Sequence, residues 1–219
     1  MTDNRKSGIA LIAGSLGGLL TMAIHPTGGG VLTPAQFEHL AVASAIAHSI
    51  AMISFLILVL GAFGLTQRLA APDRLAFSAL VVFVFAAVAV LIATAVSGFI
   101  VPNIMRHMLR DTPASAPQWR IVIDAIFQIN QAFSRIYTVA ASAAIILWSA
   151  SALRNGGLGR GLATYGVIAS SLLIVGIVIG HLKLDVHGMS VVVLVQVIWL
   201  IGAGIQLRKD ATPMIYAAS

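Results

Sequence analysis

The six histidines are the side chains in this sequence best suited to chemistry. They are His25, His39, His48, His107, His181 and His187. Each lies near the start or end of a long apolar segment, on what should be the same side of a membrane. Imidazole binds metal ions and exchanges protons near neutral pH. Their one-sided placement therefore predicts a polar site at one level of the protein.

The composition shows what kind of element positions these histidines. The chain is 59% hydrophobic and 9% charged, with a mean hydropathy of +0.99. A soluble domain of this length carries about a quarter charged residues, so the lipid bilayer is the expected surroundings of most of the chain. There is no cysteine, which excludes disulfides and thiolate sites. The net charge is +6, but the basic residues form no continuous stripe, so no nucleic-acid partner is expected.

Six segments are long and apolar enough to cross a membrane, which takes about 20 residues each. They are 8–25, 45–66, 76–100, 134–153, 162–181 and 188–207. The predicted fold is an all-α bundle of six transmembrane helices forming a single domain over 1–219. The first segment is interpreted as an uncleaved signal anchor, because no small-residue cleavage site follows it.

Helices two and four should extend beyond the membrane on the outer side. Thr33-Pro34-Ala35-Gln36 has the pattern of a helix start with a capping box, well before the second apolar segment. Pro117 and Gln118 similarly mark an early start for the fourth helix. With the segment 102–118, these extensions form the expected outer cap.

Basic residues predict the orientation. Eight would share the face with the two termini: Arg5, Lys6, Arg68, Arg74, Arg154, Arg160, Arg208 and Lys209. Five would lie on the opposite face: Arg106, Arg110, Arg120, Arg135 and Lys183. Since positive charge collects inside, both termini are expected in the cytoplasm and the protein in an inner membrane.

Counting about 20 residues from each cytoplasmic anchor reaches polar residues on all six helices. The residues reached are His25, His48, Thr94 with Ser97, Arg135, His181 and His187. Together they predict an outward-facing cavity lined by His, Asp and Arg.

The fourth helix carries a polar stripe with helical spacing. Its members are Asp124, Gln128, Gln131, Arg135, Thr138 and Ser142. Arg135 should lie within hydrocarbon, which favours a position facing the bundle interior, with Asp124, Asp185 or Glu38 as counter-charge. The alternative is a solvated extension from which Arg135 reaches the headgroups.

Histidine and carboxylate are suitable ligands for a divalent metal ion. The candidate ligands are His25, His48, His181 and His187, with Asp124 and Asp185 as proton-transferring groups. Gln128, Gln131, Arg135 and Glu38 are the candidate lining residues. Zinc fits this set, and methionines beside several histidines also allow copper.

Three functions remain open from the sequence. The first is a metal-dependent membrane enzyme or a metal-handling protein. The second is a transporter or channel for a small molecule or ion that enters from the outer side, with Arg135 selecting anions. The third is a haem b protein or a partner subunit, and a homo-oligomer remains open. No nucleophile elbow, phosphate-binding loop or dinucleotide motif is present.

Overall fold

The computed structural model describes residues 3–26, 33–69, 74–111 and 116–209. The elements are α1 (Asp3–Ile24), α2 (Pro34–Leu69), α3 (Leu75–Ala95), a π-helical turn (Val96–Ile100), α4 (Val101–Arg110), α5 (Ala116–Asn155), α6 (Arg160–Val178) and α7 (Val186–Lys209). The segment α3–π turn–α4 is one continuous rod, so six rods within these described ranges are long and apolar enough to cross a membrane. The prediction of an all-α bundle with six membrane spans is confirmed.

Neighbouring rods pack around a common centre. α1 packs between α2 and α7, α3 packs on α2 and α5, and α6 packs mainly on α5. A Cβ added to Gly8 would press on Gly204, so the start of α1 meets the end of α7. We call this the termini end of the bundle, and the opposite end, where His25 and His48 lie, the histidine end.

Glycines bring α1 and α2 into backbone contact. A Cβ on Gly61 would stand 2.7 Å from the backbone nitrogen of Leu11, and one on Gly14 would stand 2.8 Å from the carbonyl oxygen of Ser54. Helices in lipid associate through such close packing, because burying apolar surface between them gains little over lipid contact. The glycines therefore hold this pair of helices together.

Aromatic side chains fill the centre of the bundle toward the termini end. Trp148 and Trp199 are fully buried and stacked, with ring centroids 6.0 Å apart. Phe83 lies 5.3 Å from Trp148 by ring centroids. The indole Nε1 of Trp148 donates a hydrogen bond of 3.0 Å to Thr66 Oγ1. This cluster closes the centre of the bundle below the histidine end.

Both predicted helix extensions are present, on α2 and on α5, which is the fourth predicted span and has 40 residues. α2 has 36 residues, and at 1.5 Å per residue it is about 54 Å long, well beyond a hydrocarbon core of about 30 Å. The Thr33 amide donates to Gln36 Oε1 over 2.9 Å, and the Gln36 amide donates to Thr33 Oγ1 over 3.3 Å. The capping box at the start of α2 is thus confirmed.

The third rod is longer than the sequence predicted. Its expected end was residue 100, but the π turn carries the chain into α4 without a break. Arg106 on α4 forms an ion pair with Glu38 on α2, with Nη2 2.9 Å from Oε2. Glu38, expected as a lining residue or a counter-charge for Arg135, is therefore exposed and paired with Arg106.

Candidate functional site

A cavity of about 420 Å³ lies among α1, α2, α3, α5 and α7. It runs from the histidine end down to apolar side chains near the middle of the bundle. The residues near its deep end include Leu58, Phe83, Ile145 and Leu200. Most of its polar lining residues lie at the histidine end, so the cavity is polar at one end and largely apolar along its walls.

Two histidines meet at the polar end of this cavity. His25 directly follows α1, and His48 lies on the inner face of α2. Their ring centroids are 5.1 Å apart, and the rings are edge-on at 68°. Residues far apart in sequence thus form one imidazole pair.

Backbone carbonyls orient both rings. His25 Nδ1 lies 3.2 Å from the Pro26 carbonyl oxygen, and His48 Nδ1 lies 2.7 Å from the Ser44 carbonyl oxygen. A carbonyl oxygen only accepts, so Nδ1 must be the donor in each ring. In a neutral imidazole the other nitrogen, Nε2, is then an acceptor. Within the described chain, neither Nε2 has a hydrogen-bond partner.

A glycine in the π-helical turn makes room for His48. A Cβ on Gly98, within this turn, would stand 2.5 Å from the Cβ of His48. Ser44 Oγ donates a hydrogen bond of 3.4 Å to the Ser97 carbonyl, which joins α2 to the same turn. Because π-bulges within α-helices are frequent at functional sites, this turn fits a role in positioning His48.

The protonation state of His25 is set by its surroundings. Burial lowers the pKa of His25 below its ordinary value of 6.5, and the hydrogen bond to the Pro26 carbonyl opposes this shift. The lowered pKa keeps the ring neutral at pH 7, with Nε2 free to accept.

Further polar side chains lie at this end of the cavity. Asn130 Oδ1 is buried and bonds no other group in the described residues. Gln131 lines the cavity and donates from Nε2 to the Leu184 carbonyl over 3.1 Å. Asp185 also lines it, and its Oδ1 accepts from the Gly188 amide at the start of α7 over 2.8 Å.

Deeper in the cavity, polar side chains satisfy one another. The Tyr137 hydroxyl donates to Gln196 Oε1 over 2.7 Å, and Gln196 Nε2 donates to Ser142 Oγ over 3.3 Å. These buried groups link α5 and α7 without needing a ligand.

Of the predicted site residues, the cavity brings together His25, His48, Gln131 and Asp185. Asp124, Gln128 and Arg135 instead lie exposed on α5 and do not line it. Ser134 faces the cavity, and the next residue along an α-helix points about 100° away. That rotation turns Arg135 outward, as in the headgroup-reaching alternative.

His181 and His187 are exposed at either side of the segment between α6 and α7, outside the cavity lining. In the part of the chain that the structure describes, no three His, Asp or Glu side chains come together as a metal site. The four histidines proposed as ligands therefore separate into a cavity pair and two solvent-facing residues.

Sequence reasoning did not identify Ser15, Gly98 or Asn130. Asn130 directly precedes the predicted Gln131, but its position is out of step with the stripe on α5. Ser15 and Gly98 are small residues in apolar helices, where such residues ordinarily indicate packing. No pattern in one sequence would have marked them as cavity residues.

Comparisons with protein-family models, curated proteins and solved structures found no match to this chain.

Proposed function

We propose that this membrane protein binds an amphipathic small molecule whose head group donates hydrogen bonds. The observation that carries the proposal is the set of open acceptors in the cavity: Nε2 of His25, Nε2 of His48 and Oδ1 of Asn130. The cavity volume of about 420 Å³ falls within the range of small-molecule sites, about 300–1,000 Å³.

The acceptors define the head group of the ligand. Asn130 Oδ1 is buried without a partner in the described residues, which costs about 1–3 kcal/mol, so a ligand hydroxyl that reaches it binds more tightly than an ether of the same shape. Asp185 at the rim adds a further acceptor and disfavours an anion. A neutral hydroxylated head group fits this set.

The walls define the rest of the ligand. Phe55, Leu58, Phe83 and Leu200 present hydrocarbon below the histidines. Apolar ligand surface buried there contributes roughly 25 cal/mol per Å². The ligand is therefore a molecule with a polar head at the histidine end and an apolar body pointing toward the middle of the bundle.

The ligand enters from the outer side in this proposal. The histidine end is opposite the start of α1 and the end of α7, and the distribution of basic residues predicts cytoplasmic termini. The Trp148–Trp199 stack lies beyond the deep end, which favours a binding site over an open channel.

Binding of 4-hexylresorcinol to the purified protein tests the proposal, with its dimethyl ether as the matched control. The two probes share ring and tail, but only the first has hydroxyl donors. We expect calorimetry to show binding of the resorcinol and about tenfold weaker binding of the ether. Equal affinity for both probes would contradict the proposed donor head group.

Histidine variants assign the binding to this cavity. We expect His48→Leu to weaken 4-hexylresorcinol binding about tenfold, because one acceptor is lost. His187→Leu is the control, since His187 is exposed and outside the cavity lining. An equal loss in both variants would place the probe elsewhere.

A metal ion is the second candidate for the same pair. Metal-binding histidines generally donate their other nitrogen to a carbonyl or carboxylate, as His25 and His48 do here. Met22 also lines the cavity, and thioether with imidazole suits Cu(I). Copper bound in stoichiometric amount to the wild type and lost in His48→Leu would favour this candidate over the amphipathic molecule.

A further inference from the structure

Hydroxyl side chains in this bundle generally bond back to their own helix. Ser49, Ser54, Ser190, Thr21 and Thr138 each donate to the carbonyl four residues earlier, over 2.7–3.0 Å. This bond satisfies the hydroxyl donor within its own helix, where no water is available to accept it. A buried hydroxyl that does not use it needs another explanation, and in the described residues Ser15 and Ser149 are buried hydroxyls without any partner, of which Ser149 lies outside the cavity lining.

Ser15 is such a hydroxyl. Its side chain is 0% exposed, and its Oγ bonds no group in the described residues, although the Leu11 carbonyl is one turn away. Ser15 lines the cavity described above. A buried polar atom without a partner costs about 1–3 kcal/mol, which a ligand atom at this point would recover.

Ser15 lies far from the histidine pair. His25 is ten residues further along the same helix direction, which corresponds to about 15 Å along its axis. The wall between these levels includes Phe55 and Val193. Tyr137 and Gln196 are also polar and deep, but they are bonded to each other. Ser15 is thus a separate polar point beyond an apolar stretch.

We propose that the ligand carries a second hydrogen-bonding group, a hydroxyl or a carbonyl, at the end of its apolar body, and that Ser15 binds this group. The inference rests on the proposed function and adds to it the chemical class of the ligand. That class is an elongated molecule, polar at both ends, with a hydroxylated head at His25 and His48.

The test compares 4-hexylresorcinol with a series of resorcinols whose alkyl tails end in a hydroxyl and increase in length. For each probe, the affinity relative to the plain alkyl analogue of equal length is measured in the wild type and in Ser15→Ala. We expect this ratio to peak at one tail length in the wild type, about tenfold above its value in Ser15→Ala. Ser49→Ala, which loses a back-bonded hydroxyl on another helix, is expected to retain the wild-type peak.

The outcomes separate the two proposals. If plain and hydroxylated probes bind but the ratio is equal in the wild type and Ser15→Ala, the second polar group is wrong and the proposed function stands. If no resorcinol binds, both fail. Thermal unfolding without a probe is a second readout: Ser15→Ala should unfold at or above the wild-type midpoint, because it removes an unsatisfied hydroxyl. A lowered midpoint would show that Ser15 bonds within the protein and would overturn the inference.

Discussion

The two ends of this bundle use the same helices differently. At the termini end, glycines place α1 against α2 and α7, and the Trp148–Trp199 stack fills the centre. At the histidine end, the same helices surround a cavity of about 420 Å³ with acceptor atoms that lack partners among the described residues. The contrast indicates that the termini end stabilises the fold, while the histidine end is available for a ligand.

The largest expected effect on stability comes from substituting a glycine at the termini end, compared with a glycine that lines the cavity. Gly61→Ala places a methyl group against the Leu11 backbone and should cost about 1–3 kcal/mol of unfolding free energy. Gly18→Ala adds the same group where no atom lies within 4 Å, so it should leave stability unchanged or raise it by up to about 1 kcal/mol. Thermal unfolding in detergent measures both. Similar losses in the two variants would remove the distinction between the ends.

A somewhat smaller effect is expected in the aromatic cluster. Trp148→Phe removes the donor to Thr66 and part of the stack, and should lower the unfolding free energy by about 1–2 kcal/mol. Trp119→Phe, on the extension of α5, loses an exposed bond to Asp111 and should change it by less than about 0.5 kcal/mol. Denaturation of the two variants side by side checks the prediction, and a larger loss at Trp119 would reverse it.

Acid should act through His25 at the histidine end. Because burial lowers its pKa in the folded state, the unfolded chain takes up a proton first as the pH falls. The contribution of His25 to the free energy of unfolding is therefore fully present above the ordinary pKa of 6.5, and it declines as the pH falls from there toward the pKa in the folded state. Binding of 4-hexylresorcinol should weaken at lower pH, where the ring in the folded protein itself takes up a proton, since protonated Nε2 cannot accept. Titration of unfolding and binding against pH, with His25→Leu as the reference, should show a smaller pH dependence in the variant.

The smallest effect is expected at Arg135. Since its side chain is exposed outside the cavity, Arg135→Gln should change the unfolding free energy by less than about 0.5 kcal/mol and leave probe affinity unaltered. Calorimetry and thermal unfolding measure these quantities. A tenfold loss of affinity would move Arg135 into the cavity, where the polar stripe of its helix predicted it.

Much of the fold could be predicted because its signals are local. Segment length predicted the six spans, and the Thr33–Gln36 pattern predicted the start of α2. The count from basic anchors placed His25 and His48 at one level, where the structure has them in edge contact. Depth along a helix can be counted, so these predictions needed no knowledge of neighbouring helices.

The side of each helix that packs toward the bundle interior could not be predicted in the same way. Helical spacing defined the stripe on α5, but its members have different surroundings. Asp124, Gln128 and Arg135 are exposed, Gln131 lines the cavity, and Thr138 and Ser142 are buried. Both lipid and a bundle interior are apolar, so periodicity alone does not show which side packs inward. For the same reason Ser15 was missed, since only the neighbouring helices show that its hydroxyl has no partner in the described residues.

The π-helical turn at Val96–Ile100 determines the direction in which every later residue of its rod points. One extra residue in a helical ladder rotates all later side chains by about 100°, because each residue advances the helix by that angle. Removing a residue such as Ile100 would keep Gly98 beneath His48 but swing Arg106 about a quarter of the way around, away from Glu38. The inserted residue thus lets the two halves of one membrane rod face different directions. The half before the insertion packs against the imidazole pair, and the half after it directs Arg106 toward Glu38.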